Sequence, residues 1–106
     1  MDARIKEAVS LIRCDGSKSL NVIARSVNLS PSRLRHLFKD QLGVTLTQYV
    51  KSQRLECARH LVETTFLSIK QIGDAAGFAD CSHFVRDFKR TYGETPTEHR
   101  RRHFQH

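Results

Sequence analysis

The sequence predicts an all-α chain made of two helix-turn-helix subdomains joined by a long central helix, about seven helices in all. Three observations carry this. Apolar residues recur at helical spacing along the chain, and no stretch alternates β-branched and polar residues as a half-buried strand would. Both prolines follow a hydroxyl residue, Ser30-Pro31 and Thr95-Pro96, the pattern of a cap followed by proline in a first helical turn. The chain also repeats itself. A displacement of 50 places Leu34 on Phe84, Phe38 on Phe88, Lys39 on Lys89, Gly43 on Gly93, Thr45 on Thr95 and Thr47 on Thr97. A displacement of 49 places Leu20 on Ile69, Ile23 on Ile72, Val27 on Ala76 and Leu29 on Phe78, so one extra residue falls in the second turn.

The elements follow in order. Residues 2–14 set Ile5, Ala8, Val9 and Ile12 on one face, and Asp15-Gly16-Ser17 is expected to end that helix. A short helix over 19–27 turns Leu20, Ile23, Ala24 and Val27 inward. A third opens at Ser30-Pro31, carries Leu34, Leu37 and Phe38, and stops near Leu42-Gly43, where glycine accepts a left-handed terminating conformation. Thr45 and Gln48 form a capping box that opens the longest helix, about 46–63, with Leu46, Tyr49, Val50, Leu55, Ala58, Leu61 and Val62 apolar. Ser68 and Gln71 form a second box, before a helix bearing Ile69, Ile72 and Ala76. Asp80 caps a helix with Phe84 and Phe88 inward that ends near Gly93. Thr95 and Glu98 form a third box, opening a last helix through Arg100-Arg101-Arg102. The expected division is a first subdomain over 1–45, a linker helix over 46–64 and a second subdomain over 65–106.

Within each repeat, two short helices meet at a tight turn. Small Ala24 and Gly73 occupy the crossing position, and Asn28 and Gly77 occupy the turn, where a positive φ is needed. The outward residues of the second helix then decide function. These are Ser32, Arg33, Arg35, His36 and Lys39 in the first unit, and Cys81, Ser82, Val85, Arg86 and Lys89 in the second, with His83 at the boundary. Arginine grips guanine O6 and N7 as a fork, serine and histidine make single bonds, and valine or cysteine packs on a thymine methyl. Eighteen residues of central helix span roughly 27 Å, which with the helix widths brings the two reading helices near one DNA turn apart, about 34 Å.

Charge supports a polyanionic partner. Eighteen Lys and Arg against eleven Asp and Glu give +7 over 106 residues, and the isoelectric point is near 9.8. With 39% apolar and 27% charged residues the composition is that of a folded chain, too short for a barrel enzyme or a dinucleotide-binding domain with a substrate domain attached. No apolar run approaches a membrane span, and Met1-Asp-Ala-Arg-Ile-Lys-Glu7 has no hydrophobic leader, so the expected compartment is the cytoplasm. Cys14, Cys57 and Cys81 contain no C-x-x-C pair and are expected to be buried or half-buried free thiols. Cys57 with His60, and His99 with His103, share helical faces, yet no four-ligand set has finger spacing, so no metal and no cofactor are expected. No phosphate loop, nucleophile elbow or paired-carboxylate constellation argues for an enzyme. A redox role for Cys81, beside His83 on a reading surface, is a minor reading.

The segment Gly77-Phe78-Ala79-Asp80-Cys81-Ser82-His83-Phe84-Val85-Arg86-Asp87-Phe88-Lys89-Arg90, with Gly93-Glu94-Thr95-Pro96-Thr97-Glu98-His99-Arg100, resembles the signature of the AraC/XylS-type transcriptional regulators. Arg33 to Lys39, the Gly43 to Tyr49 stretch, Arg54-Leu55 and Ala58-Arg59-His60-Leu61 match as well. The resemblance implies a bacterial transcription regulator, of the activator class, that binds double-stranded DNA in tandem major-groove segments and meets RNA polymerase. It places base-edge readers on Ser32, Arg35 and His36, and on Cys81, Ser82, Val85 and Arg86. Phosphate contacts are expected from Lys18, Lys39, Lys51, Arg54, Lys89 and Arg90, and from backbone N–H groups near Ser19 and Ser68. His99 departs from the family's usual tyrosine. Asp80 and Asp87 are expected to flank the second surface and leave the first unit to supply more affinity. The effector or dimerisation domain and ligand such regulators commonly carry are not expected within these residues. The competing reading is a nonspecific nucleic-acid-binding or protein-interaction module that uses charge without base readout.

Overall fold

The computed structural model describes residues 1–14 and 18–104, with the side chain of Cys14 left out. The expected helix end at Asp15-Gly16-Ser17 lies outside the described residues. The helices are α1 (Ala3–Cys14), α2 (Leu20–Ser26), α3 (Pro31–Leu42), α4 (Leu46–Thr64), α5 (Ile69–Ala75), α6 (Cys81–Tyr92) and α7 (Pro96–His103), and no strand occurs among the described residues. Each helix lies within two residues of its expected bounds, because the caps that set those bounds are formed. Ser19, Ser30, Ser68 and Thr95 each accept a bond from the N–H three residues on, and Asp80 accepts from Ser82 N–H at 2.7 Å. The boxes at Thr45/Gln48, Ser68/Gln71 and Thr95/Glu98 are closed in both directions.

Packing divides the chain into two compact units, Met1–Gln53 and Arg54–His106. The first has a core of Ile5, Ala8 and Ile12 from α1, Ile23 and Ala24 from α2, Val27 at the C-cap of α2, Leu34 and Phe38 from α3, and Leu46. The second has a core of Leu55, Ala58 and Val62 from α4, Ile72 from α5, Ala76, and Phe84 and Phe88 from α6. The 50-residue repeat therefore extends to the first helix of each unit: Ile5, Ala8 and Ile12 correspond to Leu55, Ala58 and Val62. The later part of α4 does for the second unit what α1 does for the first.

Both turns close by the same device. In the first, Asn28 has φ 59°, its N–H reaches Arg25 C=O at 3.2 Å, and Leu29 N–H reaches Ala24 C=O at 2.9 Å. In the second, Gly77 has φ 95°, its N–H reaches Asp74 C=O at 3.1 Å, and Phe78 N–H reaches Gly73 C=O at 2.9 Å. This is a Schellman termination in each case, and the hydrophobic residue after it, Leu29 or Phe78, packs on the core. The crossing position is tight: a Cβ built on Gly73 would stand 3.0 Å from Phe84 Cδ2.

Candidate nucleic-acid interface

The apolar stripe of α3 buries Leu34 and Phe38 completely, which turns Ser32, Arg33, Arg35, His36 and Lys39 outward, all exposed. Ser32, Arg35, His36 and Lys39 share one open groove with Asp40 and with Thr45, Leu46 and Thr47 at the start of α4. The structure thus brings the three expected readers of the first unit onto a single concave surface. Asp40 and Thr47 were not singled out from sequence. Their place follows from the short Gly43–Thr45 link, which returns the chain to α3 immediately.

In the second unit Phe84 and Phe88 are fully buried, and Cys81, Ser82, His83, Arg86, Lys89 and Arg90 are exposed. Val85 is half-buried and packs on the core, so only part of it faces outward. Asp87 corrects an expectation. It is 8% exposed and already interacts within the protein, so it does not flank the reading surface. Asp80 is exposed but spends a carboxylate oxygen on capping α6. The outward face of α6 then carries Arg86, Lys89 and Arg90, as cationic as Arg33, Arg35 and Lys39 on α3.

Of the expected phosphate contacts, Lys39, Lys51, Lys89 and Arg90 are exposed, whereas Lys18 and Arg54 are half-buried. Lys18, Lys51 and Arg54 each already interact with another group of the chain. Ser19 and Ser68 cap α2 and α5 as expected. The cysteines depart from expectation: Cys57 and Cys81 are exposed rather than buried. Cys57 falls on the outer side of α4, between the inward Leu55 and Ala58, and Cys81 is the first residue of α6. Among the described residues, no three His, Cys, Asp or Glu side chains gather where they could hold a metal ion. No helix among them is long and apolar enough to cross a membrane.

A feature missed from sequence lies behind α6. His99 is 7% exposed, with Nε2 2.7 Å from Glu63 Oε2 and Nδ1 2.8 Å from Glu94 Oε1. Its ring meets Phe88 edge-on at 5.7 Å. Arg102 Nη2 donates to the same Glu94 oxygen at 2.6 Å, and Arg100 donates to Val62 C=O and Thr65 C=O at 3.4 and 3.2 Å. The hydrogen bond from His99 holds the Glu63 carboxyl below its ordinary value, and Arg102 followed by His99 does the same for Glu94. Extending the repeat would have exposed this cluster, since it pairs Tyr49 with His99, Arg13 with Glu63 and Val44 with Glu94.

A family model described as a helix-turn-helix domain matches residues 23–102. A crystal structure of a transcriptional regulator with an AraC-type DNA-binding domain, from Chromobacterium violaceum, superposes with a TM-score of 0.83 at 36% identity, covering 96% of this chain and 93% of that one. The chain belongs to the AraC/XylS-type helix-turn-helix family. This AraC/XylS-type domain is also 39% identical over 103 residues to the arabinose operon regulatory protein of Escherichia coli, covering 94% of this chain and 35% of the relative. It is 33% identical over 101 residues to the xylose operon regulatory protein of the same species, covering 93% of this chain and 26% of the relative. The AraC/XylS-type domain thus spans about a third or less of the curated relatives' length. Membership makes it a DNA-binding domain of bacterial transcription regulators and not an enzyme family.

Proposed function

We propose that the chain reads specific base sequences in double-stranded DNA, with α3 and α6 entering successive major grooves, and thereby regulates transcription. The observation that carries this is the duplicated surface. In each unit the helix after a Schellman turn buries its apolar stripe and presents arginine with small hydrogen-bonding residues outward. Ser32, Arg35 and His36 are the base readers of the first unit, and Cys81, Ser82, Val85 and Arg86 those of the second. Lys18, Lys39, Lys51, Arg54, Lys89 and Arg90 approach phosphates and fix register without reading sequence. Functionally the chain divides into a reading unit over 1–45, a joining helix over 46–64 and a reading unit over 65–106.

The relatives named as regulatory proteins of arabinose and xylose operons support a regulatory role; action as an activator, contact with RNA polymerase and a cytoplasmic setting complete the proposal. Salt separates base readout from mere charge. Phosphate-driven binding by a chain of +7 collapses with salt on every duplex alike. Base readout keeps a preference of about 10³ or more for a selected duplex over random DNA at physiological salt. Equal affinity for selected and random duplexes at every salt concentration would sink the specific reading.

A further inference from the structure

The two units differ at the site of Tyr49 and His99. In the first unit Tyr49 packs on Phe38 with ring centroids 5.4 Å apart, and the neighbouring positions are Arg13 and Val44. In the second unit His99 takes the tyrosine's position against Phe88, and the neighbouring positions are Glu63 and Glu94. One aromatic contact has become a histidine held at both ring nitrogens by carboxylates. We infer that His99 is a positioning residue for the second reading helix, held as a doubly protonated imidazolium between Glu63 and Glu94, so that the second unit's grip on DNA weakens as pH rises. The DNA half of this inference rests on the function proposed above; the protonation half does not.

Hydrogen-bond bookkeeping carries the first step. An ionised carboxylate only accepts, and a neutral imidazole has one N–H. Contacts of 2.7 Å at Nε2 and 2.8 Å at Nδ1 are both hydrogen bonds only when both nitrogens bear hydrogen. Arg102 Nη2 lies 3.4 Å from Nδ1 but 2.6 Å from Glu94 Oε1, so its partner is the carboxylate and not the ring. Charge agrees. A neutral ring would instead set a lone pair against one of the two carboxylates. The other titratable or charged groups around the ring are Arg59, which acts on Glu63 from α4, Tyr92 of α6, which packs on Phe88 and feels Glu63, and His103, stacked 6.4 Å away on α7. The partner from α6 is Phe88, which carries no charge.

The second step is mechanical. Glu63 is on α4, Glu94 is in the turn between α6 and α7, and His99 is on α7 against Phe88 of α6. The charged ring therefore ties α7 to α4 and to the turn behind the helix that bears Ser82 and Arg86. Losing the proton breaks one of those ties. Tyr49 makes its contact without a proton, so the first unit lacks this response.

The test uses the whole chain, labelled with 15N, from about pH 6 to about pH 8.5. Long-range 1H–15N spectra are expected to show both ring nitrogens of His99 protonated at the lower end. The amide protection factors of α6 and α7 are expected to fall on raising the pH while those of α3 hold. On a duplex selected from a random pool, the chain should lose about fivefold more affinity over this range than His99→Tyr does. His36 and His83 remain in that variant, so any contribution they make is common to both proteins. Glu63→Gln, which keeps an acceptor but removes a charge, should leave the ring singly protonated near neutral pH. A neutral tautomer at the low end with α7 still protected overturns the inference, as do parallel profiles for the native chain and His99→Tyr. Failure to bind any duplex at any pH would instead defeat the proposed function, with the ring spectrum still deciding the proton.

Discussion

Replacing Arg35 by alanine tests the proposal that α3 reads bases, because Arg35 is exposed and outside the core, so the fold does not depend on it. The variant should lose about 1–3 kcal/mol on a cognate duplex and become indifferent at one base pair. Competition binding on singly substituted duplexes measures this; a loss equal on all sequences would make Arg35 a phosphate contact. Gly73→Ala tests packing instead. Its Cβ would meet Phe84 at 3.0 Å, and that ring is itself fully buried against Phe78 and Phe88, with no room to yield. The alanine's better helix propensity recovers part of the strain, leaving a net loss of about 1 kcal/mol or more in chemical denaturation. The first unit tolerates Ala24 at the corresponding position because Leu34 replaces the phenylalanine there. Single residues were legible in sequence where backbone geometry dictated their type, as at Asn28 and Gly77. Asp87 was not. It sits beside Phe88 on the edge of the buried stripe, where residue type argues outward and helical phase argues inward.

At the level of elements, the caps made the helix bounds readable, and they make α7 testable. Thr95→Ala removes the bond to Glu98 N–H and opens the capping box, which should cost about 0.5–2 kcal/mol in thermal or chemical unfolding. Acid provides an independent probe. The Thr95 cap lowers Glu98, His99 lowers Glu63, and Arg102 with His99 lowers Glu94, each from an ordinary value of 4.5. A carboxyl whose pKa is lower in the folded chain contributes stability that is fully present above 4.5 and is lost as pH falls through the folded value. In the first unit Asp2 is lowered to about 2 by its hydrogen bonds with Arg4, but that exposed pair acts only at the start of α1, so acid unfolding should release α7 before α3, as read by residue-resolved amide exchange. Loss of α3 first would contradict this. The clustering of Glu63, Glu94 and His99 escaped periodicity because Glu63 and His99 are 36 residues apart and converge only once α7 has docked.

For the whole molecule, the duplication was the most readable property of the sequence, since turn, core and caps all repeat and the fold uses each of them twice. Its extent was underestimated. The apolar face of the long helix reads as one linker from pattern alone, and only packing assigns Leu55, Ala58 and Val62 to the second core. The outward faces of α3 and α6 were legible for the same reason the cores were: a helix that buries two large apolar residues on one side has its other side fixed. The most direct measurement of base readout is selection of bound duplexes from a random pool at physiological salt, repeated with Arg35→Ala and Arg86→Ala. The account expects a bipartite site with halves about one helical turn apart, each variant losing preference in one half only. A pool that stays random while binding persists, or variants that weaken both halves equally, would contradict it.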